Sequence, residues 1–331
     1  METSDDQPDD EIRPEYDLSQ LRRVPGGRRR LERIEKTSEF PDEDEPGDTR
    51  MKLTPPQTRD FIARMDAAMM PLLNKCVVAI YGDHNGIAVQ CGTGTLFRVA
   101  DYSFLVSACH VTNLARKGVQ LYVSDAGPKA PGVALEGNLH SEKNLDVSVW
   151  QLAPQVISEL PNRKFLTIHQ TDRADLRVNR GWYYVHGYPN CWSHLRPDEQ
   201  KTTVKAFTYG TVLYQGDTST FEGYNPDLHV LLTAPKKGNV DSHGAQTEMP
   251  TSLKGISGCS IWQAYYEGLP SRSWTSDDAV VVAVQTGVYR GGTVVRGTRW
   301  WIIEKILSKN YPDLEGPLSL MTPSMRKPSA S

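Results

Sequence analysis

Three residues of this sequence have types and settings suited to nucleophilic catalysis, and the first is a serine. Ser257 lies in SLKGISGCSIW (252 to 262), between Gly255 and Gly258, where the chain turns before an apolar segment. A serine on a tight turn can act as a nucleophile, and the backbone N–H groups of the turn can stabilise an oxyanion. The same letters also fit an ordinary glycine-rich hairpin, so the serine needs partners elsewhere in the chain.

A serine nucleophile needs a base to take its proton and a third group to fix the tautomer of that base. The chain has eight histidines. His110 is distinctive because it ends the apolar segment YSFLVSACH and directly precedes a short helical pattern, VTNLARK. A histidine in this place is either a base at the edge of a sheet or a core histidine with satisfied hydrogen bonds.

The third residue is Asp146, which opens the strongly apolar segment LDVSVWQL. A carboxylate in such a place is costly unless it has partners. It can cap the strand, or it can orient a histidine. His110, Asp146 and Ser257 each lie at the edge of a predicted strand, and this arrangement favours the second interpretation, a Ser-His-Asp triad.

The elements that must position these groups are mostly strands. One helix is predicted over TPPQTRDFIARMDAAMMPLLNK (54 to 75), where apolar residues recur at helical spacing. Short apolar segments separated by Gly, Asn, Asp and Pro follow, and TRWWIIEKILSKN (298 to 310) predicts a closing helix. A break at 161 to 179 divides the strands into two comparable sets. The pattern is typical of an all-β barrel or sandwich.

Composition places charged segments at both ends. Residues 1–50 hold 9 Lys/Arg and 16 Asp/Glu, a net charge of −7, while residues 51–331 carry +4. We expect residues 1–50 and 312–331 to be disordered, because they hold too few apolar residues to offset the entropy of ordering. A basic run (22 to 36) adjoins an acidic run (39 to 48), which favours a regulatory protein partner over nucleic acid.

Other classes of protein are disfavoured. The sequence contains no run of 18 apolar residues, so we expect no membrane-spanning helix. The acidic start of the chain also lacks the apolar region of a secretion signal. The five cysteines are an odd number without a C-x-x-C pair. We therefore expect reduced thiols, a cytoplasmic location, no metal and no cofactor.

Together, three segments resemble the active-site blocks of the chymotrypsin/trypsin-like serine peptidases: TGTLFRVADYSFLVSACHVT, LDVSVWQL and LKGISGCSIW. The resemblance covers residues 76 to 308, and WYYVHGYP resembles a strand of the bacterial members. It implies an all-β fold of two six-stranded antiparallel β-barrels, with one helix before them and one after. The implied boundaries are a charged head over 1–50, a helix over 51–75, the first barrel over 76–160, a linker over 161–180, the second barrel with the C-terminal helix over 181–311, and a tail over 312–331.

The resemblance also implies roles for the three residues. Ser257 becomes the nucleophile, His110 the general base and later the acid, and Asp146 the group that orients the imidazole. The backbone N–H groups of Gly255 and Ser257 form the oxyanion hole. Secreted members carry Asp just before the nucleophile, where a new N-terminal ammonium pairs with it. Because this chain has Ile256 there, we expect no activation of that kind.

The substrate-binding residues implied by the resemblance are Thr251, Lys254, Gln285, Thr286, Gly287 and Val288. An extended peptide is expected to add as a strand along residues 286 to 288. Thr251 carries no charge where a carboxylate would bind Lys or Arg, and Lys254 and Arg290 repel a cation. We predict cleavage after neutral polar or acidic residues; a shallow pocket for small apolar residues is the alternative.

Two functions of different class follow. The first is an intracellular serine endopeptidase that acts on a protein or peptide through an acyl-enzyme intermediate. The second is a scaffold or peptide-binding protein with an idle triad, which recruits partners through residues 1–50. The complete Ser, His and Asp set favours the enzyme.

Overall fold

A computed structural model describes residues 55–84, 87–125, 132–171, 181–196, 201–234, 239–241, 246–266, 274–289 and 292–319. The head predicted over residues 1–50 lies outside the described residues, as do Arg290 and the end of the chain from residue 320. Over the described ranges, no helix combines the length and apolar composition needed to cross a membrane.

The described chain is mainly β in architecture, and its strands form two curled antiparallel β-sheets. The first follows the helix α1 (Pro55–Cys76). Its strands are β1 (Val77–His84), β2 (Ile87–Val99), β3 (Tyr102–Ala108), β4 (Leu121–Ser124), β5 (Gly132–Ala134), β6 (Gly137–Glu142), β7 (Val147–Leu152) and β8 (Leu166–Thr167). The short helices α2 (Cys109–Arg116) and α3 (Pro154–Ser158) follow β3 and β7.

The order of strands in the first sheet is β5-β4-β1-β2-β3-β7-β6, and β8 pairs with β2 in parallel. The two ends of this order, β5 and β6, are separated by only two residues of chain. The sheet must therefore curl until its edges approach each other.

The second sheet contains β9 (Gly181–Gly187), β12 (Phe207–Thr211), β13 (His229–Thr233), β14 (Asn239–Asp241), β15 (Gln246–Thr247), β16 (Ser260–Tyr266), β17 (Val280–Tyr289) and β18 (Val294–Arg299). Its order is β13-β18-β17-β16-β9-β12-β14-β15. A separate hairpin joins β10 (Ser193–Arg196) and β11 (Lys201–Val204). Helices α4 (Trp301–Asn310) and α5 (Glu315–Ser319) follow β18. The pairing among the described residues gives eight strands to each sheet and does not close either into a six-stranded barrel.

One continuous apolar core joins the two sheets. It contains Phe97 and Phe104 of the first sheet and Tyr184 and Trp262 of the second. Trp300, directly before α4, packs edge-on against Phe97 with ring centroids 5.5 Å apart. Burying side chains of this size stabilises the fold by roughly 2–3 kcal/mol each.

Two segments are more ordered than the composition predicts. Residues 312 to 319, assigned above to the charged tail, are helical, because Leu314 and Leu318 bury their side chains in the core. In the predicted linker, Leu166 is fully buried and extends the first sheet through β8. Residues 172 to 180 of that linker lie outside the described part.

Candidate active site

The pairing of β3 with β7 brings His110 and Asp146 together. Ala108 at the end of β3 lies opposite Val147 at the start of β7, so the residues just beyond this pair are neighbours. Asp146 Oδ2 lies 2.7 Å from His110 Nδ1, and Asp146 Oδ1 accepts a hydrogen bond from the His110 backbone N–H at 2.9 Å. The carboxylate therefore holds both the ring and the backbone of one histidine.

The tautomer of His110 follows from this contact. A carboxylate accepts hydrogen bonds, so Nδ1 carries the hydrogen and Nε2 is the nitrogen that can accept a proton. The His110 side chain is 43% exposed and that of Asp146 is 22% exposed. A partly open imidazole can contact a ligand while its orientation stays fixed.

Asp146 itself has an unusual backbone. Its φ of 52° and ψ of 40° are left-handed, a conformation that Asp tolerates better than most residues. The carbonyl of Asp146 accepts from Cys109 N at 3.0 Å, while its N–H donates to the Lys143 carbonyl. The chain reversal at Asp146 turns the carboxylate back toward the start of α2.

The second sheet supports the same loop. Thr298 of β18 donates through Oγ1 to the carbonyl of Leu145 at 2.7 Å, and its Oγ1 lies 3.2 Å from that of Thr286 on β17. The backbone next to Asp146 is thus anchored to both sheets.

Ser257 lies three residues before the start of β16, on a turn that packs against the end of β3. The Ser257 carbonyl accepts a hydrogen bond from Thr93 N at 2.9 Å. At Gly258, where φ is +92°, an added Cβ would lie 2.1 Å from Ser107 Oγ and 2.8 Å from Ala108 N. His110 follows Ala108 by two residues, so these contacts place the serine turn beside the histidine.

The turn before Ser257 is fixed by side chains of β2. The carbonyl of Gly255 accepts from Thr93 Oγ1 at 2.7 Å and from Gln90 Nε2 at 3.1 Å. Gln90 Nε2 also lies within hydrogen-bonding distance of the carbonyls of Gly92 and Tyr188. Three separate stretches of chain therefore meet at one buried amide.

The backbone N–H of Gly255 points away from Asn190, which binds the other side of the same peptide unit. The carbonyl of the same peptide unit, that of Lys254, accepts from Asn190 N at 2.7 Å, and in a trans peptide the N–H points the opposite way. No described residue accepts a hydrogen bond from Gly255 N. Gly255 has a φ of +93°, and a Cβ there would lie 1.9 Å from Asn190 Oδ1. Glycine is required both by the backbone and by this close approach.

The cysteines beside the two key residues are not competing nucleophiles. Cys109 precedes His110 and Cys259 follows Ser257 by two residues, and both thiols are buried. Burial raises the pKa of each thiol. A protonated thiol is a poor nucleophile, which leaves the serine hydroxyl as the candidate.

The residues predicted to bind substrate differ in exposure. Thr251 and Lys254 are exposed, and Gly287 and Val288 are partly buried. Gln285 is only 1% exposed and donates from Nε2 to the Gly287 carbonyl, and Thr286 faces Thr298. The side-chain amide of Gln285 is therefore buried beneath the predicted substrate-binding surface and is bonded to the backbone of β17.

Reasoning from sequence missed four residues of this region, Gln90, Thr93, Asn190 and Thr298. Thr93 lies in the TGT segment that opens the first active-site block, which is a weak signal, and the others have none. Within the described ranges, no group of three or more His, Cys, Asp or Glu side chains could hold a metal ion.

Comparison with known proteins gives little further guidance. No protein-family model matches the chain, and no curated protein is similar to it at a significant level. One similar solved structure comes from work described as "Aromatic interactions drive the coupled folding and binding of the intrinsically disordered Sesbania mosaic virus VPg protein". The two are 16% identical with a TM-score of 0.37, over 72% of this chain and 90% of that one. A likeness this low assigns neither fold nor function.

Proposed function

We propose that this protein is a serine endopeptidase with a chymotrypsin-like arrangement of two β-barrels. Ser257 is the nucleophile, His110 the base and Asp146 the residue that orients the base. The observation that carries the proposal is the double contact of the Asp146 carboxylate with the ring and the backbone N–H of His110. A histidine that served only packing would not need its tautomer fixed at a partly exposed position.

The reaction runs through an acyl-enzyme. Ser257 Oγ attacks the carbonyl carbon of the scissile bond while its proton passes to His110 Nε2. The C–N bond then breaks, and the imidazolium returns that proton to the leaving amine. Water repeats the two steps, releasing the acid product and restoring the serine. Asp146 stabilises the imidazolium throughout and does not itself take the proton.

The backbone N–H groups of Gly255 and Ser257 form the oxyanion hole in this proposal. The support for it is the peptide unit before Gly255, whose carbonyl is bound by Asn190 and whose N–H faces away. Donors that are fixed before the substrate arrives cost no reorganisation when negative charge develops.

The test is covalent labelling with a fluorophosphonate, combined with hydrolysis of a small ester. The wild-type protein should be labelled at Ser257, and Ser257→Ala and His110→Ala should abolish both labelling and turnover while thermal melting changes little. Ser158→Ala is the matched control, since Ser158 is exposed on α3. A protein that folds normally but reacts at no serine would refute the proposal and favour the scaffold with an idle triad.

A further inference from the structure

Arg296 lies beside the part of β17 that is predicted to bind substrate. It pairs with Gly287 across β17 and β18. Its guanidinium atoms Nη2, Cζ and Nε lie 3.3–3.5 Å from the place that a Cβ on Gly287 would occupy. Because Gly287 has no side chain, the guanidinium extends across β17 instead of staying above its own strand.

Among the described residues, Tyr289 contacts the Arg296 guanidinium, but no carboxylate balances its positive charge. Nη1 lies 3.2 Å from the Tyr289 hydroxyl, and the guanidinium carbon is 5.7 Å from the centre of that ring. Nε is buried without a hydrogen-bond acceptor, and no carboxylate among the described residues forms an ion pair with Arg296. Arg296 as a whole is partly exposed, so its charge can be reached from outside. Leaving the buried Nε donor without an acceptor is costly, and an anion that binds the guanidinium would offset that cost.

The same face of the sheet leads to the proposed triad. Arg296 and Thr298 are two residues apart on β18, so their side chains project from the same face, about 6.6 Å apart along the strand. Thr298 Oγ1 donates to the Leu145 carbonyl, directly next to Asp146. A ligand that contacts Arg296 therefore lies on the side of the sheet that meets the catalytic residues.

Among the described residues, β17 has an unpaired edge beyond the point where it meets the Ser257 turn. Pairing of β16 with β17 ends at Ser260 and Val284. Two hydrogen bonds, Gly258 N to the Gln285 carbonyl and Gln285 N to the Cys259 carbonyl, extend it by one residue. From residue 286 to 289, β17 pairs only with β18 within the described part of the chain. An extended peptide can form main-chain hydrogen bonds to such an edge.

The distances suit a carboxylate on that peptide. Neighbouring strands lie about 4.8 Å apart, so an added strand would be about 9–10 Å from the backbone of β18. The Arg296 guanidinium lies over Gly287 on β17, about halfway between the backbone of β18 and that of the added strand. The side chain of Glu or Asp on the added strand can span the rest.

We propose that Arg296 binds an acidic side chain of the substrate, on the amino-terminal side of the scissile bond. The catalytic part of this statement rests on the proposed function. The carboxylate-binding part does not, because it concerns binding along β17. Arg binds carboxylates better than Lys does, since its planar fork donates two parallel hydrogen bonds.

The experiment uses the full chain and two readouts. Peptides carry a single Glu at each of four successive positions before the scissile bond, and matched peptides carry Gln there. Cleavage gives kcat/KM with the wild-type protein, and fluorescence anisotropy gives Kd with Ser257→Ala, which cannot turn over. At one position we expect Glu to exceed Gln by about tenfold in both readouts, the scale of a charge-assisted hydrogen bond.

The variants separate a direct contact from a general effect of charge. Arg296→Gln should remove the preference for Glu, Arg296→Lys should keep part of it, and Arg296→Glu should favour Lys at the same position. Arg299→Gln is the control, because Arg299 lies on the same strand but donates to the Pro226 carbonyl. Melting curves and fluorophosphonate labelling establish that each variant is folded.

The outcomes distinguish the two proposals. If Glu binds no better than Gln at any position, or if its advantage survives in Arg296→Gln, the assignment of Arg296 is wrong. If Ser257→Ala binds acidic peptides through Arg296 but the wild-type protein cleaves none, the acidic subsite stands and the peptidase is refuted.

Discussion

Thr93 Oγ1 donates a hydrogen bond to the carbonyl of Gly255 at 2.7 Å, across 162 residues of chain. This bond connects β2 of the first sheet to the turn that carries Ser257. The same hydroxyl accepts from Tyr188 N at 3.1 Å. Thr93 and Gln90 thus supply polar support for the turn that carries Ser257.

The first prediction concerns this support. Thr93→Val keeps the shape of the side chain and removes the hydroxyl, so the Gly255 peptide loses one of its two side-chain donors. We expect kcat toward a small ester to fall by about tenfold or more with little change in KM, because the oxyanion hole acts mainly in the transition state. Thr93→Ser should restore most of the rate. A folded Thr93→Val enzyme with unchanged kcat would show that the turn holds its shape without this bond.

The second prediction concerns Asp146. Asp146→Asn places an amide against His110 Nδ1 and favours the wrong tautomer of the imidazole. We expect turnover to fall by about 10⁴-fold, the cost of the same change in a serine peptidase of the family that this sequence resembles. Stopped assays of ester hydrolysis measure the loss, and Asp101→Asn, in the exposed turn after β2, serves as the control. A loss of less than tenfold would argue against an orienting role for Asp146.

The sequence predicts some of these relationships and not others, for a physical reason. His110 and Asp146 each lie at the end of an apolar segment, and pairing of those segments as neighbouring strands is enough to bring them into contact. Gln90 and Thr93 reach the serine turn only because the two sheets pack together, and no local pattern records that packing. Their catalytic or supporting roles stay predictions until activity is measured.

The fold shows the same division. Alternating apolar segments predict strands and a largely antiparallel β architecture, which the two sheets confirm in this coarse form. The helical structure of residues 312 to 319 could not be predicted from composition, since Leu314 and Leu318 lie in a charged, proline-containing stretch. Their burial depends on apolar contacts with residues from both sheets, which exist only once the core has assembled.

The third prediction concerns Gly258. An added Cβ would lie 2.2 Å from the Thr93 carbonyl oxygen as well as 2.1 Å from Ser107 Oγ, and φ is +92°. Backbone cannot move away as a flexible side chain can, so Gly258→Ala should lower the free energy of unfolding by about 3 kcal/mol or more. Gly316→Ala is the control, because a Cβ there meets no atom of the described residues within 4 Å.

Denaturant titration gives the free energy of unfolding for both variants of this pair, and fluorophosphonate labelling reports on the site. Equal stability of Gly258→Ala and Gly316→Ala would contradict the close packing of the serine turn against β3.

The last prediction concerns His186, which is fully buried on β9 behind the serine turn. Its Nδ1 lies 2.6 Å from Thr208 Oγ1, and its Nε2 is buried without a partner among the described residues. Burial, with a smaller contribution from the charge of Arg163, lowers the pKa of His186 to about 3. The unfolded chain, in which histidine has a pKa near 6.5, binds this proton more readily, so stability is lost as the pH falls from about 6.5 toward 3. Between pH 8 and pH 5, protonation of this histidine in the unfolded chain should lower the free energy of unfolding by about 2 kcal/mol.

Urea titrations of wild type and His186→Gln at the two pH values measure the effect. The control is His194→Gln, because His194 lies exposed on the hairpin of β10 and β11. The pH dependence should be shallower in His186→Gln alone; an unchanged slope would mean that His186 is not held neutral by the fold.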